Sequence, residues 1–93
     1  MHLYVVADSD SADLLRTRIG DALRQERLTQ GKTLKELAAN ANLSPSHLSD
    51  IERGEKEASS EILRSVYHSL GMELDDLLQR ATHNPTAELM VAA

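Results

Sequence analysis

Residues whose types could do chemistry crowd into one short run, LSPSHLSDIERG, from Leu43 to Gly54. Ser44, Ser46, His47, Ser49 and Asp50 bring hydroxyl, imidazole and carboxylate groups together within seven residues. Hydroxyls donate and accept hydrogen bonds, a neutral imidazole does one of each, and a carboxylate accepts. No bond-making constellation surrounds them. His2, His47, His68 and His83 have no i, i+4 partner and no supporting cysteine or glutamate motif, so they read as surface or half-buried side chains rather than metal ligands. Cysteine is absent, which excludes a disulfide and a thiolate metal site. Serines and aspartates are plentiful, but each falls in a helix cap or on a polar face, and no Gly-rich phosphate loop occurs. The sequence therefore predicts no enzyme, no cofactor and no metal. It predicts hydrogen bonding from the outer face of a helix whose inner seam is only Leu48 and Ile51.

Positioning such a face needs a scaffold, and helical periodicity supplies one. Leu15, Ile19, Ala22 and Leu23 fall at i, i+4, i+7 and i+8, one side of a first helix capped by Asp10 or Ser11 and ended by Gly31. Thr33-Leu34-Lys35-Glu36 reads as a capping box, followed by a short helix with Leu34, Leu37, Ala38 and Ala41 inward and a stop at Asn42. Ser44 is a good N-cap and Pro45 is pre-set for the first turn of a third helix that closes at Gly54. Ser59 caps a fourth, with Ile62, Leu63, Val66 and Leu70 inward and Gly71 at its end. Asp75 to Arg80 belongs to a fifth, with Leu74, Leu77 and Leu78 inward. Leu3–Val6 reads as an extended arm, and Pro85 after Asn84 starts a short last helix over 85–91. The fold expected is all-α: an arm over 1–10, one five-helix domain over 11–80 and a tail over 81–93.

The bulk numbers agree with one small domain. There are 93 residues, 41% of them hydrophobic, with no Phe or Trp, so Leu, Ile, Val, Ala and Met must make the core. No apolar run reaches membrane-spanning length, and the missing cysteines fit the cytoplasm. The net charge of −5 argues against a polyanion partner until it is divided. Residues 1–15 carry −3, residues 16–56 carry +2 and residues 57–93 carry −4. Phosphate answers to the local field, so the mildly basic middle is the part able to meet it.

The second and third helices fit a helix-turn-helix. With Leu34 at its first position, Leu37, Ala38, Ala41, Leu43, Leu48 and Ile51 fill the places that must be apolar or small. Ala38 stands where the two helices cross. Asn42 takes the turn, where glycine is usual. A thin inner seam with a polar outer face suits insertion into the major groove. The stretch TLKELAANANLSPSHLSDIERG resembles the helix-turn-helix of the Xre/Cro/phage-repressor family, and the likeness runs from Leu14 to Leu78, including LGMELDDLL. A narrower resemblance, resting on LSDIERGEKEASSEIL, is to the actinobacterial regulators of Clp protease genes.

These resemblances imply a five-helix, lambda-repressor-like domain in a dimeric, sequence-specific regulator of transcription, an activator of Clp protease and stress genes. The positions that read bases in the family match Pro45, Ser46, His47 and Asp50. Ser46 can bond most base edges, His47 can donate or accept, Asp50 can accept from cytosine N4, and Pro45 can only touch a thymine methyl. Lys32, Thr33, Lys35, Ser44, Ser49 and Lys56 are the phosphate-contacting candidates, with Arg16 or Arg18 joining them. The family likeness matches Arg27 and Glu52 to an ion pair that ties the first helix to the third. Apolar surface left on the fifth helix and after it, from Met72, Leu74, Leu78, Leu89 and Met90, is the expected two-fold dimer contact. Partners implied are double-stranded DNA, a second copy, RNA polymerase, and a Clp protease reading the apolar tail Leu89-Met90-Val91-Ala92-Ala93. A different class of function stays open on the same fold: an antitoxin or other protein-interaction module, which the acidic ends favour slightly.

Overall fold

The computed structural model describes the backbone of residues 2–82 and the side chains of residues 14–82. Among these residues the chain forms five helices and no strand: α1 (His2–Thr29), α2 (Leu34–Asn40), α3 (Pro45–Glu52), α4 (Ser60–Ser69) and α5 (Leu74–Thr82).

Local chemistry sets most of the boundaries. Thr33 Oγ1 accepts from the Glu36 N–H at 3.0 Å, and the Thr33 N–H donates to Glu36 Oε1 at 2.8 Å, which completes the capping box at the start of α2. Ser44 Oγ accepts from the His47 N–H at 3.0 Å and Pro45 opens α3. Ser59 Oγ accepts from the Ile62 N–H at 3.2 Å at the start of α4. Asn42 sits at φ 59°, and the bonds from Leu43 N to Ala38 O (2.8 Å) and Asn42 N to Ala39 O (3.2 Å) close α2 in a Schellman turn. That turn swings the chain from α2 into α3 within four residues.

Leu23, Leu37, Leu48, Val66 and Leu77 are fully buried, one from each helix, and make the centre of the core. Ala38 is also fully buried, and α2 packs on both α3 and α4. α1 packs against both α3 and α5. Its approach to α3 depends on Gly20. A Cβ there would stand 2.3 Å from the Ile51 carbonyl oxygen and 2.6 Å from that of Glu52, so only glycine lets the two backbones meet.

Three expectations are corrected. α1 runs unbroken from His2, so Leu3–Val6 is helical backbone rather than an extended arm, and the helix does not begin at Asp10 or Ser11. No glycine or proline stands between His2 and Ile19, so nothing there stops the helix from continuing past those polar residues. Leu74 and Leu78 do not point inward: they are 45% and 38% exposed, and Leu77 and Ala81 fill the inner face of α5 instead. Met72 belongs to the core at 4% exposure, so it has little surface left for a second chain. The helix expected over 85–91, with Leu89, Met90 and the rest of the tail beyond Thr82, lies outside the described residues.

Candidate nucleic-acid interface

α3 buries Leu48, Ile51 and Glu52 and turns its other residues outward. Pro45 and Ser46 are exposed, and His47, Ser49 and Asp50 are half-buried. Ser44, Ser46, His47, Asp50 and Lys56 line one open depression of about 280 Å³. The structure thus gathers three of the four base-reading candidates with one hydroxyl and one ammonium from the phosphate set. Pro45 lies on the same first turn but does not line the depression.

The phosphate candidates divide by what already engages them. The Thr33 and Ser44 hydroxyls each accept a backbone N–H; the Ser44 O–H remains a donor for an outside oxygen, whereas the Thr33 hydroxyl also engages the Glu36 carboxyl. Lys35 and Lys56 are exposed. Lys32 is half-buried, and its Nζ donates to the Ser69 carbonyl at 3.0 Å, so this ammonium first ties the start of α2 to the end of α4. Arg16 Nε donates to the Gly54 carbonyl at 3.0 Å and braces the end of α3, and Arg18 is half-buried. Near Lys35, hydrogen bonds from the Thr33 N–H and then its hydroxyl hold the Glu36 carboxyl below the usual carboxylate range.

Behind the outward face of α3, Arg27 Nε donates to Glu52 Oε2 at 2.8 Å and Arg27 Nη2 to Glu52 Oε1 at 2.9 Å. Arg27 Nη1 also donates to the Lys32 carbonyl at 3.0 Å. The two residues are 9% and 6% exposed. The hydrogen bonds to Glu52 raise the Arg27 guanidinium above its ordinary value, so the guanidinium stays charged. A planar two-bond contact of this kind fixes α3 in both angle and distance relative to α1.

Three features of the site escaped the sequence reading. Gly20 had a signal, a lone glycine inside a helical pattern, which marks close packing. Arg53 Nη2 donates to Asp50 Oδ1 at 2.8 Å and to Glu55 Oε2 at 3.2 Å, a local contact legible in principle from the i, i+3 spacing. Glu26 accepts from Gln30 Nε2 (2.8 Å) and from Arg80, while Gln30 Nε2 also donates to the Leu70 carbonyl at 2.7 Å. These bonds, from Gln30 first and Arg80 second, hold the Glu26 carboxyl below its ordinary value. Fifty-four residues separate Arg80 from Glu26, and nothing local predicts their meeting. Among the described residues no group of three or more His, Cys, Asp or Glu is placed to hold a metal ion, and no helix is long and apolar enough to cross a membrane.

A helix-turn-helix family model matches residues 23–77. The transcriptional regulator ClgR of Mycobacterium tuberculosis is 45% identical over 67 residues, 72% of this chain and 60% of that protein. This chain therefore spans about 60% of the length of the curated relatives it matches first. A crystal structure of the clp gene regulator ClgR from Corynebacterium glutamicum superposes with a TM-score of 0.76 at 44% identity, covering 84% of this chain and 86% of that one. The restriction-modification controller protein C.Esp1396I, at 21% identity and TM-score 0.70 over 77% of this chain and 91% of its own, shares the fold.

Proposed function

This chain belongs to the helix-turn-helix family, and from that premise we propose that it is a sequence-specific regulator of transcription that binds clp protease and stress genes as a two-fold dimer and activates them. The observation that carries the reading is the depression on α3, where Ser46, His47 and Asp50 meet beside Ser44 and Lys56 while Leu48 and Ile51 hold the helix to the core. α3 enters the major groove by its N-terminal turn, as the reading helix of this motif does. Ser46, His47 and Asp50 read base edges, and Pro45 makes only apolar contact. Thr33, Lys35, Ser44, Ser49 and Lys56 hold the flanking phosphates, with Lys32 and the Arg16–Gly54 contact bracing the frame.

The dimer contact in this reading uses Leu74 and Leu78, two large apolar side chains one turn apart on the outside of α5, together with Leu89 and Met90. Activation brings RNA polymerase as a partner in the cytoplasm. The apolar stretch Leu89-Met90-Val91-Ala92-Ala93 serves as a recognition element for a Clp protease, so that the protease limits the regulator of its own genes.

The test is retardation of promoter fragments from clp genes at about 50 mM and about 200 mM salt, with equal-length unrelated fragments as competitor. Retention of the clp fragments alone at the higher salt supports the proposal. Equal loss of all fragments, with a copurifying protein partner, overturns it in favour of a protein-interaction module.

A further inference from the structure

Asp50 is an odd residue to turn toward DNA. A carboxylate among phosphates is repelled unless it accepts a hydrogen bond from a base amino group. Its side chain is 22% exposed, it lines the depression with Ser46, His47 and Lys56, and one of its oxygens is already taken: Oδ1 accepts from Arg53 Nη2 at 2.8 Å. Arg53 is the C-cap residue of α3, and the same Nη2 also donates to Glu55 Oε2 at 3.2 Å.

We infer that Arg53 is a positioning residue for base recognition: by gripping Asp50 Oδ1 it fixes the plane of the carboxylate and presents Oδ2 to the amino group of one base pair in the major groove. The inference rests on the proposed reading of DNA by α3. The physical reason is a terminal torsion. The χ2 rotation of an aspartate is broad and nearly free, so an unheld carboxylate points its oxygens in many directions. A guanidinium bonded to one oxygen arrests that rotation, and it offsets the negative charge that would drive Asp50 from the DNA backbone. Glu55 plays the same part for Arg53. The Arg53 side chain is 56% exposed, and so open an ion pair contributes little to folding. Its role is then visible in recognition rather than in stability, and its variants fold.

The alternative for an exposed arginine at this edge is a phosphate contact, and the two roles separate cleanly. A phosphate contact weakens all sequences alike and lowers the salt slope, whereas a positioning residue alters the choice at one base pair. The experiment uses the full chain and a duplex selected by the wild type from random DNA, with each base pair varied in turn. Wild type, D50A, R53Q, R53K and the double variant D50A/R53Q are compared by competition binding. The wild type should prefer an amino-bearing base, cytosine or adenine, by about tenfold at one pair. D50A should erase that preference. R53Q should cut it to about threefold at the same pair and no other, R53K should restore most of it, and the double variant should discriminate no worse there than D50A alone. R53Q that lowers affinity for every duplex equally, with the tenfold preference intact, overturns the inference and makes Arg53 a phosphate contact. D50A that leaves the preference intact while specific binding persists also overturns it, without touching the wider proposal. A wild type with no preference at any base pair refutes the DNA reading itself.

Discussion

Replacing Glu52 by alanine strands the Arg27 guanidinium in a site where that residue is 9% exposed. The carboxylate supplies two short charge-assisted bonds, 2.8 and 2.9 Å, and leaves behind only the 3.0 Å bond from Nη1 to the Lys32 carbonyl. A guanidinium cannot escape by losing its proton at any ordinary pH. Breaking a buried pair by removing one member costs about 3–5 kcal/mol, a large share of the roughly 5–15 kcal/mol that holds a domain together. At about 4–8 °C per kcal/mol for a domain of this size, the melting point should fall by at least about 12 °C. Glu52→Ala should be worse than Arg27→Met, because a stranded carboxylate can take up a proton and a stranded guanidinium cannot shed one. Replacing both, Arg27→Met with Glu52→Leu, should bring stability back to within about 1 kcal/mol of the wild type while loosening the α1–α3 angle. Urea titrations followed by far-ultraviolet circular dichroism read all three. A cost below about 1 kcal/mol for Glu52→Ala would refute the reasoning, since it would mean that water reaches the pair.

Gly20→Ala should destabilise by about 1–3 kcal/mol despite the better helix propensity of alanine, because the new Cβ meets the Ile51 and Glu52 carbonyl oxygens; an unchanged urea midpoint would count against the close approach. Glu26 is held below its ordinary value by Gln30 and Arg80, so its contribution is present above the unfolded carboxylate value and is lost as pH falls through the lower folded value. Glu26→Gln should therefore cost up to about 1 kcal/mol at pH 7 and nothing near pH 2, and a pH-independent difference would contradict the cause assigned. Leu74→Asp with Leu78→Asp should yield a folded monomer in sedimentation, since both side chains face outward, and a dimer of unchanged strength would remove α5 from the interface. Lys35→Ala should weaken all DNA alike and lower the salt slope by about one; a change of base preference instead would place Lys35 in the groove.

How much of this was legible in the sequence follows from the range of each interaction. Caps and turns are local, and Thr33 with Glu36, Ser44 with Pro45, Ser59 and Asn42 carry their geometry in their own side chains. Those residues gave the order and the boundaries from α2 to α4. The start of α1 was not legible, because Asp10 and Ser11 are as able to sit inside a helix as to begin one when no glycine or proline precedes them. On α5, periodicity marked Leu74, Leu77 and Leu78 alike as apolar. It could not say that Leu77 alone of the three is buried, since that depends on how α5 rotates against α1. The Arg27–Glu52 contact came from the family likeness, and spacing alone offers no reason to join residues 25 apart. Lys32 shows the limit for charges: composition makes it a cation on a basic stretch, and only the fold reveals the Ser69 carbonyl that it meets.

The central claim is that α3 reads a two-fold DNA site, and selection from a random duplex pool tests it most directly. Incubated at physiological salt, the full chain should enrich one motif whose two half-sites are inverted and lie about one helical turn apart, 10–10.5 base pairs from centre to centre. Ser46→Ala and His47→Ala should each alter the enriched base at a different position within every half-site. A pool that returns no motif after repeated rounds, or the same motif from the wild type and both variants, would contradict the account.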